Sequence, residues 1–211
     1  MKLSHSLAAG AALLITAGCA ITPPSLPSAS TSAPPATTSA STSASPTVAT
    51  SPPVVSPTVP SAAGALDVTK YEVSMFASPS GSIWCAVKDD SAWCHFPANY
   101  QAKVPTSEEV CPEEQLDVTG VSVGNKVEYF CSGDPTAFPA LNNAGYGLEW
   151  FASSGFPKVK YSGFTLATLP YGKKLADGSF VCLSEKSGIT CGDTSTGIGF
   201  KMAKAGVTFI S

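Results

Sequence analysis

The sequence predicts an all-β protein: a disulfide-braced antiparallel β-sandwich or small barrel of about nine short strands, following a disordered stalk. Three observations indicate this class. Short segments of alternating apolar and polar residues are separated by turns rich in Gly, Pro, Asn and Asp throughout residues 66–211. Two pairs of cysteines, Cys85 with Cys94 and Cys182 with Cys191, each stand nine positions apart. Finally, residues 20–64 contain no charged or aromatic side chain.

Residues 1–18 are predicted to be a lipoprotein signal peptide. Lys2 precedes an apolar run from Leu7 to Ala17, which is too short to span a bilayer as a helix. The small residues before Cys19 resemble the lipobox of bacterial lipoproteins, although Thr16 occupies a position where Leu is usual. We therefore expect Cys19 to be acylated and to anchor the chain to the membrane. The alternative is an ordinary cleaved signal in which Cys19 has no such role.

Residues 19–65 are predicted to form a disordered linker. This stretch consists almost entirely of Ser, Thr, Pro, Ala and Val. Such a composition buries too little apolar surface to offset the entropy cost of ordering the chain. Its Pro content favours an extended polyproline II conformation, and its Ser and Thr residues are candidates for O-glycosylation, with a bare spacer as the alternative. The folded domain is accordingly predicted to cover residues 66–211.

A disulfide-closed β-hairpin is predicted over residues 80–96. If Asp89 and Asp90 form a two-residue loop, Cys85 faces Cys94 at a non-hydrogen-bonded position, where the Cα atoms are close enough for a disulfide. The two-residue period of a strand then assigns the side chains to two faces. One face carries Ile83, Cys85, Val87, Ala92, Cys94 and Phe96, and the other carries Trp84, Lys88, Ser91, Trp93 and His95.

The other cysteines of the predicted domain indicate two further disulfides. Residues 178–191 repeat the pattern of the first hairpin, with Gly-Ser at the start and Cys182 and Cys191 at the same separation. By elimination, Cys111 is expected to bond to Cys131. Three disulfides would place the domain in an oxidising, extracytoplasmic compartment.

Several other elements are predicted from local patterns. A strand is expected in residues 66–77, a short helical turn near 107–110 with Ser107 as its N-cap, and paired strands around residues 121–123 and 127–129. Residues 134–160 are expected to be mostly loop, with a strand at 147–152 that carries Trp150. Residues 164–169 read as a strand, and residues 199–203 and 206–210 as a closing pair.

Three motifs resemble those of an uncharacterised family of exported actinobacterial proteins. The first is Phe-x-Ser/Thr-Pro-Ser-Gly-Asn-Ile-x-Cys, at residues 76–85 with Ser82 in the Asn position. The second is Leu-Pro-Tyr-Gly at 169–172. The third is Cys-x-Ser-Glu-x-Ser-Gly-Val/Ile-Thr-Cys at 182–191, followed by a Gly-rich segment at 197–200 that ends in Gly-Phe. The match spans most of residues 70–205. The resemblance implies export and a shared disulfide arrangement, and it implies no activity.

Composition and spacing argue against catalysis, cofactors, metals and nucleic acid. The net charge is −3 and the sequence contains no Arg, so a basic surface for nucleic acid is not expected. His95 is the one His after the predicted leader, and the cysteines are better used in disulfides, so no metal site is predicted. The segment around Asp193 and Ser195 lacks the glycines of a serine-protease nucleophile loop. We therefore expect a protein that is not an enzyme and needs no cofactor.

The candidate ligand-binding residues are Trp84, Trp93 and His95 on the second hairpin face, together with Tyr171. The alternative is that these tryptophans are covered as core. The expected function is a lipid-anchored, surface-exposed envelope protein whose non-catalytic domain binds a cell-wall glycan or an envelope protein, acting as a monomer. The competing hypothesis is a secreted inhibitor of a hydrolase, similar to lysozyme inhibitors, with residues 158–163 or 133–138 as the inhibitory loop.

Overall fold

The computed structural model of the chain describes residues 56–143 and 145–211. The predicted leader, Cys19 and residues 20–55 of the predicted linker lie outside the described residues. Within the described residues, thirteen strands dominate over two short α-helices and one 3₁₀-helix, which confirms the all-β class with more strands than the expected nine. The strands are β1 (Leu66–Asp67), β2 (Ser74–Ala77), β3 (Trp84–Lys88), β4 (Ser91–His95), β5 (Val118–Val123), β6 (Val127–Cys131), β7 (Lys158–Tyr161), β8 (Phe164–Ala167), β9 (Lys174–Asp177), β10 (Phe180–Glu185), β11 (Gly188–Asp193), β12 (Gly199–Ala203) and β13 (Gly206–Ile210).

The strands form two large sheets and one small one. The first sheet has the order β1-β9-β10-β11-β12-β13, the second has the order β2-β3-β4-β5-β6, and β7 pairs with β8 alone. All of these pairings are antiparallel except that of β1 with β9, which is parallel. Buried side chains from both large sheets belong to one core cluster, so the domain is a β-sandwich.

The centre of the sandwich is the contact between two disulfide-closed hairpins. Cys85 and Cys94 are bonded across β3 and β4, and Cys182 and Cys191 are bonded across β10 and β11. All four cysteines are fully buried. The sulfur atoms of Cys94 and Cys191 lie 4.0 Å apart, so the two disulfides touch between the sheets. Each hairpin therefore contributes one disulfide to the centre of the core.

The register predicted for the first hairpin is confirmed. Cys85 pairs with Cys94, and Lys88 pairs with Ser91 around the two-residue loop Asp89-Asp90. The predicted inner face is buried, apart from Phe96, which is half-buried. The Cys182–Cys191 and Cys111–Cys131 disulfides are present as well. Three disulfides indicate an oxidising environment outside the cytoplasm. None of the helices in the described residues is long and apolar enough to cross a bilayer.

Three local predictions are wrong. The single strand expected in residues 66–77 is instead two strands, β1 and β2, which belong to different sheets. The predicted strand at 147–152 is instead the helix α2 (Glu149–Ser154), which ends at Gly155 with φ 68° and buries Trp150 and Phe151. The short helix α1 (Ser107–Val110) is present, but its N-cap is Thr106 and not Ser107. The Glu109 carboxylate accepts hydrogen bonds from the backbone N–H and the hydroxyl of Thr106, as in the glutamate half of a capping box. The third helical element is the 3₁₀-helix Leu141–Asn143.

The packed chain begins before the predicted boundary at residue 66. Residues 56–63 run along the outer face of the six-stranded sheet, where Pro60 is buried and Val59 is half-buried. A Cβ on Gly192 would lie 2.6 Å from Val59 Cγ2, so the glycines of β11 and β12 create the space that Val59 fills. The Lys174 ammonium donates hydrogen bonds to the carbonyls of Ser61 and Ala63. Part of the stretch predicted as linker is therefore an ordered component of the domain.

Candidate functional site

The predicted aromatic face of the first hairpin is largely covered. Half-buried Trp84 packs on Phe138 with ring centroids 4.5 Å apart, and on the edge of Tyr161 at 6.2 Å. Its indole N–H donates to the carbonyl of Gly81 at 2.7 Å. The cover comes from the segment after β6 and from the β7–β8 hairpin. Much of the Trp84 side chain is therefore covered by neighbouring residues, as the alternative interpretation of these tryptophans expected.

His95 is a structural residue that fixes this cover in place. Its side chain is buried, and its Nε2 atom accepts a hydrogen bond from the backbone N–H of Thr136 at 2.9 Å. Burial lowers the pKa of the His95 imidazole, and a hydrogen bond to the carbonyl of Thr119 opposes that shift only in part. A neutral ring is what an accepting Nε2 requires. The geometry therefore assigns His95 to positioning residues 133–138, and not to direct ligand contact.

Trp93 lies apart from Trp84 on the same face. It lines a shallow pocket of about 250 Å³ with Ser122, Phe130 and Thr136. Within the described residues, its buried indole N–H has no hydrogen-bond partner. The pocket is open and most of its exposed surface is apolar, so Trp93 contributes chiefly a packed apolar surface.

Tyr171 belongs to a different place in the fold. It is 41% exposed and sits in the turn between β8 and β9, where Gly172 has φ 78° and its N–H donates to the carbonyl of Ser184. This turn is the Leu-Pro-Tyr-Gly motif. Tyr171 lines a pocket that contains neither Trp93 nor His95. The structure therefore does not bring the four predicted residues together at one site.

Two adjoining pockets at one end of the sandwich form the best candidate site. The first, the polar lobe, has a volume of about 570 Å³ and opens between loops of both sheets. The second, the aromatic lobe, has a volume of about 350 Å³. Ser82 and Tyr161 line both, so the two lobes lie side by side and are treated together as one cleft. The polar lobe is also lined by Ser78, Ser80, Asn99, Tyr171, Glu185, Lys186 and Lys204, and the aromatic lobe by Trp84, Phe96, Phe138 and Phe164.

A row of three serine hydroxyls forms one wall of the polar lobe. The Oγ atoms of Ser78 and Ser80 are 2.9 Å apart, and those of Ser80 and Ser82 are 2.8 Å apart. The turn that carries them depends on Gly81, which has φ 75° and whose Cβ would lie 2.7 Å from Tyr161 Cβ. A side chain at residue 81 would thus both strain the backbone and displace Tyr161, which lines both lobes. This is the physical role of the Pro-Ser-Gly motif here.

Two lysines occupy the rim of the polar lobe. Lys186 lies in the two-residue turn between β10 and β11, and Lys204 lies in the turn between β12 and β13. Both are exposed, and neither forms an ion pair within the described residues. The Glu185 carboxylate in the same lobe is bonded to the Lys201 ammonium at 3.3 Å. No local sequence pattern marks these lysines, because only the sheet pairing brings their turns together.

The protease-like segment after β11 has a structural use. The Asp193 carboxylate accepts hydrogen bonds from the hydroxyls of Ser195 and Thr196 and from the backbone N–H of Ser195. Desolvation raises the pKa of Asp193, but hydrogen bonds from Ser179, Ser195 and Thr196 outweigh it and hold the pKa at about 2. Asp193 therefore remains ionised and orders the turn. The Ser195 hydroxyl donates to this carboxylate, so its hydrogen bond serves the turn.

Within residues 56–143 and 145–211, potential metal-ligating atoms come close together in the core. The group of ligand atoms that lie within 4.8 Å of one another consists of Cys85, Cys94 and Cys191. All three sulfur atoms are already bonded in disulfides. A disulfide sulfur carries no thiolate charge to offer a metal, so this group is a feature of the core.

Comparisons of the chain with protein-family models, with curated proteins and with solved structures found no match. The resemblance to exported actinobacterial proteins stays a prediction from the sequence motifs. The function is therefore inferred from the site alone.

Proposed function

We propose that this chain is a lipid-anchored cell-envelope protein whose β-domain binds a wall glycan, without catalysis, in the cleft formed by the two lobes. The observation that carries the proposal is that exposed Tyr171 and the row of serine hydroxyls line the same lobe. Sugar rings present an apolar face with polar edges, which suits an aromatic ring next to hydroxyl groups. The cleft continues into the aromatic lobe, which offers room for a second sugar unit.

The location rests on two supports. The disulfides require an oxidising compartment, and the Cys19 motif supplies a membrane anchor that would hold the domain near the wall. Changing Cys19→Ala should move the protein from the membrane fraction to the soluble fraction. Retention in the membrane fraction would contradict the lipid anchor.

The glycan proposal is tested by removing the exposed ring from the cleft. Tyr171→Ala should weaken binding of the full chain to purified wall glycan about five- to tenfold, because a stacked aromatic contact contributes roughly 1 kcal/mol. The matched control is Tyr146→Ala, since Tyr146 is 59% exposed and lies outside both lobes. Isothermal titration calorimetry provides the measurement. Equal binding by both variants and the unchanged chain would rule out Tyr171 as a ligand contact.

Inhibition of a hydrolase is the second candidate function. The β7–β8 hairpin forms a sheet of its own, and its tip at Ser162 and Gly163 is exposed, as an inhibitory loop would be. The other predicted loop, residues 133–138, is held down by the contact between Thr136 and His95 and by the buried Ala137. A panel of muramidases and proteases assayed with the pure protein tests this function, and absence of inhibition removes it.

A further inference from the structure

The rim of the polar lobe has a local charge opposite to that of the whole chain. The chain carries a net charge of −3, yet Lys186 and Lys204 project from two turns of the same sheet at the edge of one lobe. The ion pairs within the described residues involve Lys88, Lys126 and Lys201, and include neither rim lysine. Both ammonium groups are therefore open to a ligand.

The acidic group in this lobe is already compensated. The Glu185 carboxylate is bonded to Lys201, whose ammonium also donates to the hydroxyl of Ser187 at 2.8 Å. Lys201 thus balances Glu185, and the two rim lysines leave an excess of positive charge in the lobe. Because the lobe is concave, this charge acts on a bound group at short range.

The turns that carry the two lysines are held by packing. Gly188, the first residue of β11 after the turn, leaves no room for a Cβ beside the carbonyl oxygen of Met202, so the chain directly after Lys186 is packed against β12. The carbonyl of Lys204 accepts a hydrogen bond from the Gln101 N–H at 3.0 Å. Fixed turns reduce the ordering cost that a ligand would otherwise incur on binding.

We propose that the polar lobe selects an acidic glycan, a sugar chain that bears carboxylate groups. One sugar ring stacks on Tyr171 and bonds to the row of serine hydroxyls, while a carboxylate is held by Lys186 and Lys204. The volume of about 570 Å³ suits a sugar unit and greatly exceeds what a small anion needs. This inference rests on the proposed glycan-binding function, to which it adds the chemical class of the ligand.

The experiment compares one glycan in two charge states. A wall glycan strand containing N-acetylmuramic acid is titrated into the full chain in detergent, before and after its carboxylates are converted to methyl esters. The acidic strand should bind about three- to tenfold more tightly than the ester, and the difference should shrink as salt is raised. The double variant Lys186→Gln, Lys204→Gln should bind the acidic and the ester strand with the same affinity, equal to the affinity of the unchanged chain for the ester strand.

Controls separate the outcomes. The double variant Lys126→Gln, Lys158→Gln alters two exposed lysines outside the lobe and should leave the preference intact. Equal loss in this control would overturn the proposal in favour of general charge attraction. If the chain bound the acidic and the ester strand with equal affinity, and Tyr171→Ala weakened both, only the preference for an acidic glycan would be overturned. If neither strand bound, the proposed function itself would be overturned. Competition by inorganic phosphate at equal concentration would show an anion site without sugar recognition, which also contradicts the proposal.

Discussion

At the scale of the single residue, Asp177 is an acidic side chain in an unfavourable, buried position. It ends β9 with 1% of its surface exposed, and within the described residues neither carboxylate oxygen has a hydrogen-bond partner. Burial raises the pKa of the Asp177 carboxyl, and the negative charges of Asp89 and Asp67 raise it further. A buried carboxylate without partners is costly to ionise.

We predict that Asp177→Asn stabilises the protein at pH 7. The folded-state pKa of Asp177 lies above the unfolded value, so the folded state binds more protons and the unchanged protein should gain stability as pH falls from 7 toward 4. The variant lacks this charge and should show a gain of about 1 kcal/mol at pH 7 that disappears at pH 4. Urea unfolding at both pH values measures the effect.

Asp117→Asn, at an exposed carboxylate, serves as the control for this measurement. It should leave the free energy of unfolding within about 0.5 kcal/mol of the unchanged protein. A loss of stability in Asp177→Asn that is equal at pH 7 and pH 4 would mean that the carboxylate is satisfied in the folded state, and would contradict the prediction.

At the scale of the element, the segment formed by residues 56–63 extends the domain beyond its strands. Its composition matches that of the preceding chain, so nothing in the segment itself marks the point at which it meets the sheet. The signal lay elsewhere, in Gly192 and Gly199, which pair across β11 and β12 and leave a gap on the outer face. A glycine pair in adjacent strands indicates close approach of another segment.

We predict that Val59→Ala destabilises the domain by about 1 kcal/mol, because it removes apolar contact with the glycine gap. Ala62→Ser, at an exposed position of the same segment, should have no measurable effect. Thermal unfolding gives the stability difference, and limited proteolysis should show faster cleavage near residue 59 in Val59→Ala alone. Identical unfolding and cleavage of the two variants would indicate that the segment does not stabilise the sheet.

The helix α2 shows where local sequence reasoning failed at this scale. The pattern of residues 147–152 is weak and suggests a strand that carries Trp150, but Gly155 and Pro157 are the pair of residues that typically follows a helix end. The helix is short, and its burial of Trp150 outweighs the weak local preference. The hairpins, in contrast, were predictable to the residue, because a disulfide and a two-residue loop together determine the register.

The candidate site was only partly predictable for a related reason. Trp84 and Tyr171 do line the cleft, although in different lobes. Lys186 and Lys204 could not be identified, since they join the site through sheet order and not through spacing in the chain. Sequence periodicity assigns side chains to faces of one strand, and it does not say which turns of a sandwich become neighbours.

At the scale of the whole molecule, stability should depend on the two central disulfides acting together. We predict that replacing either pair, Cys85 with Cys94 or Cys182 with Cys191, by Ala costs about 2–4 kcal/mol. Because the two disulfides touch, the cost of replacing both should differ from the sum by at least about 0.5 kcal/mol. Replacing Cys111 and Cys131, which lie outside this core cluster, should add to either change.

Chemical denaturation of four proteins gives this coupling energy: the unchanged protein, the two variants that each lack one central disulfide, and the variant that lacks both. Strict additivity of the two central replacements would mean that the hairpins contribute to stability independently, in spite of the contact between Cys94 and Cys191.

Because the central sulfur atoms are buried, reduction of the two central disulfides depends on opening of the sandwich. A soluble phosphine has no route to Cys85–Cys94 or Cys182–Cys191 while the sheets are closed, whereas the half-buried Cys111–Cys131 bridge is partly accessible. Free thiols should consequently appear in two kinetic phases. The rate of the second phase would report how often the sandwich opens under native conditions.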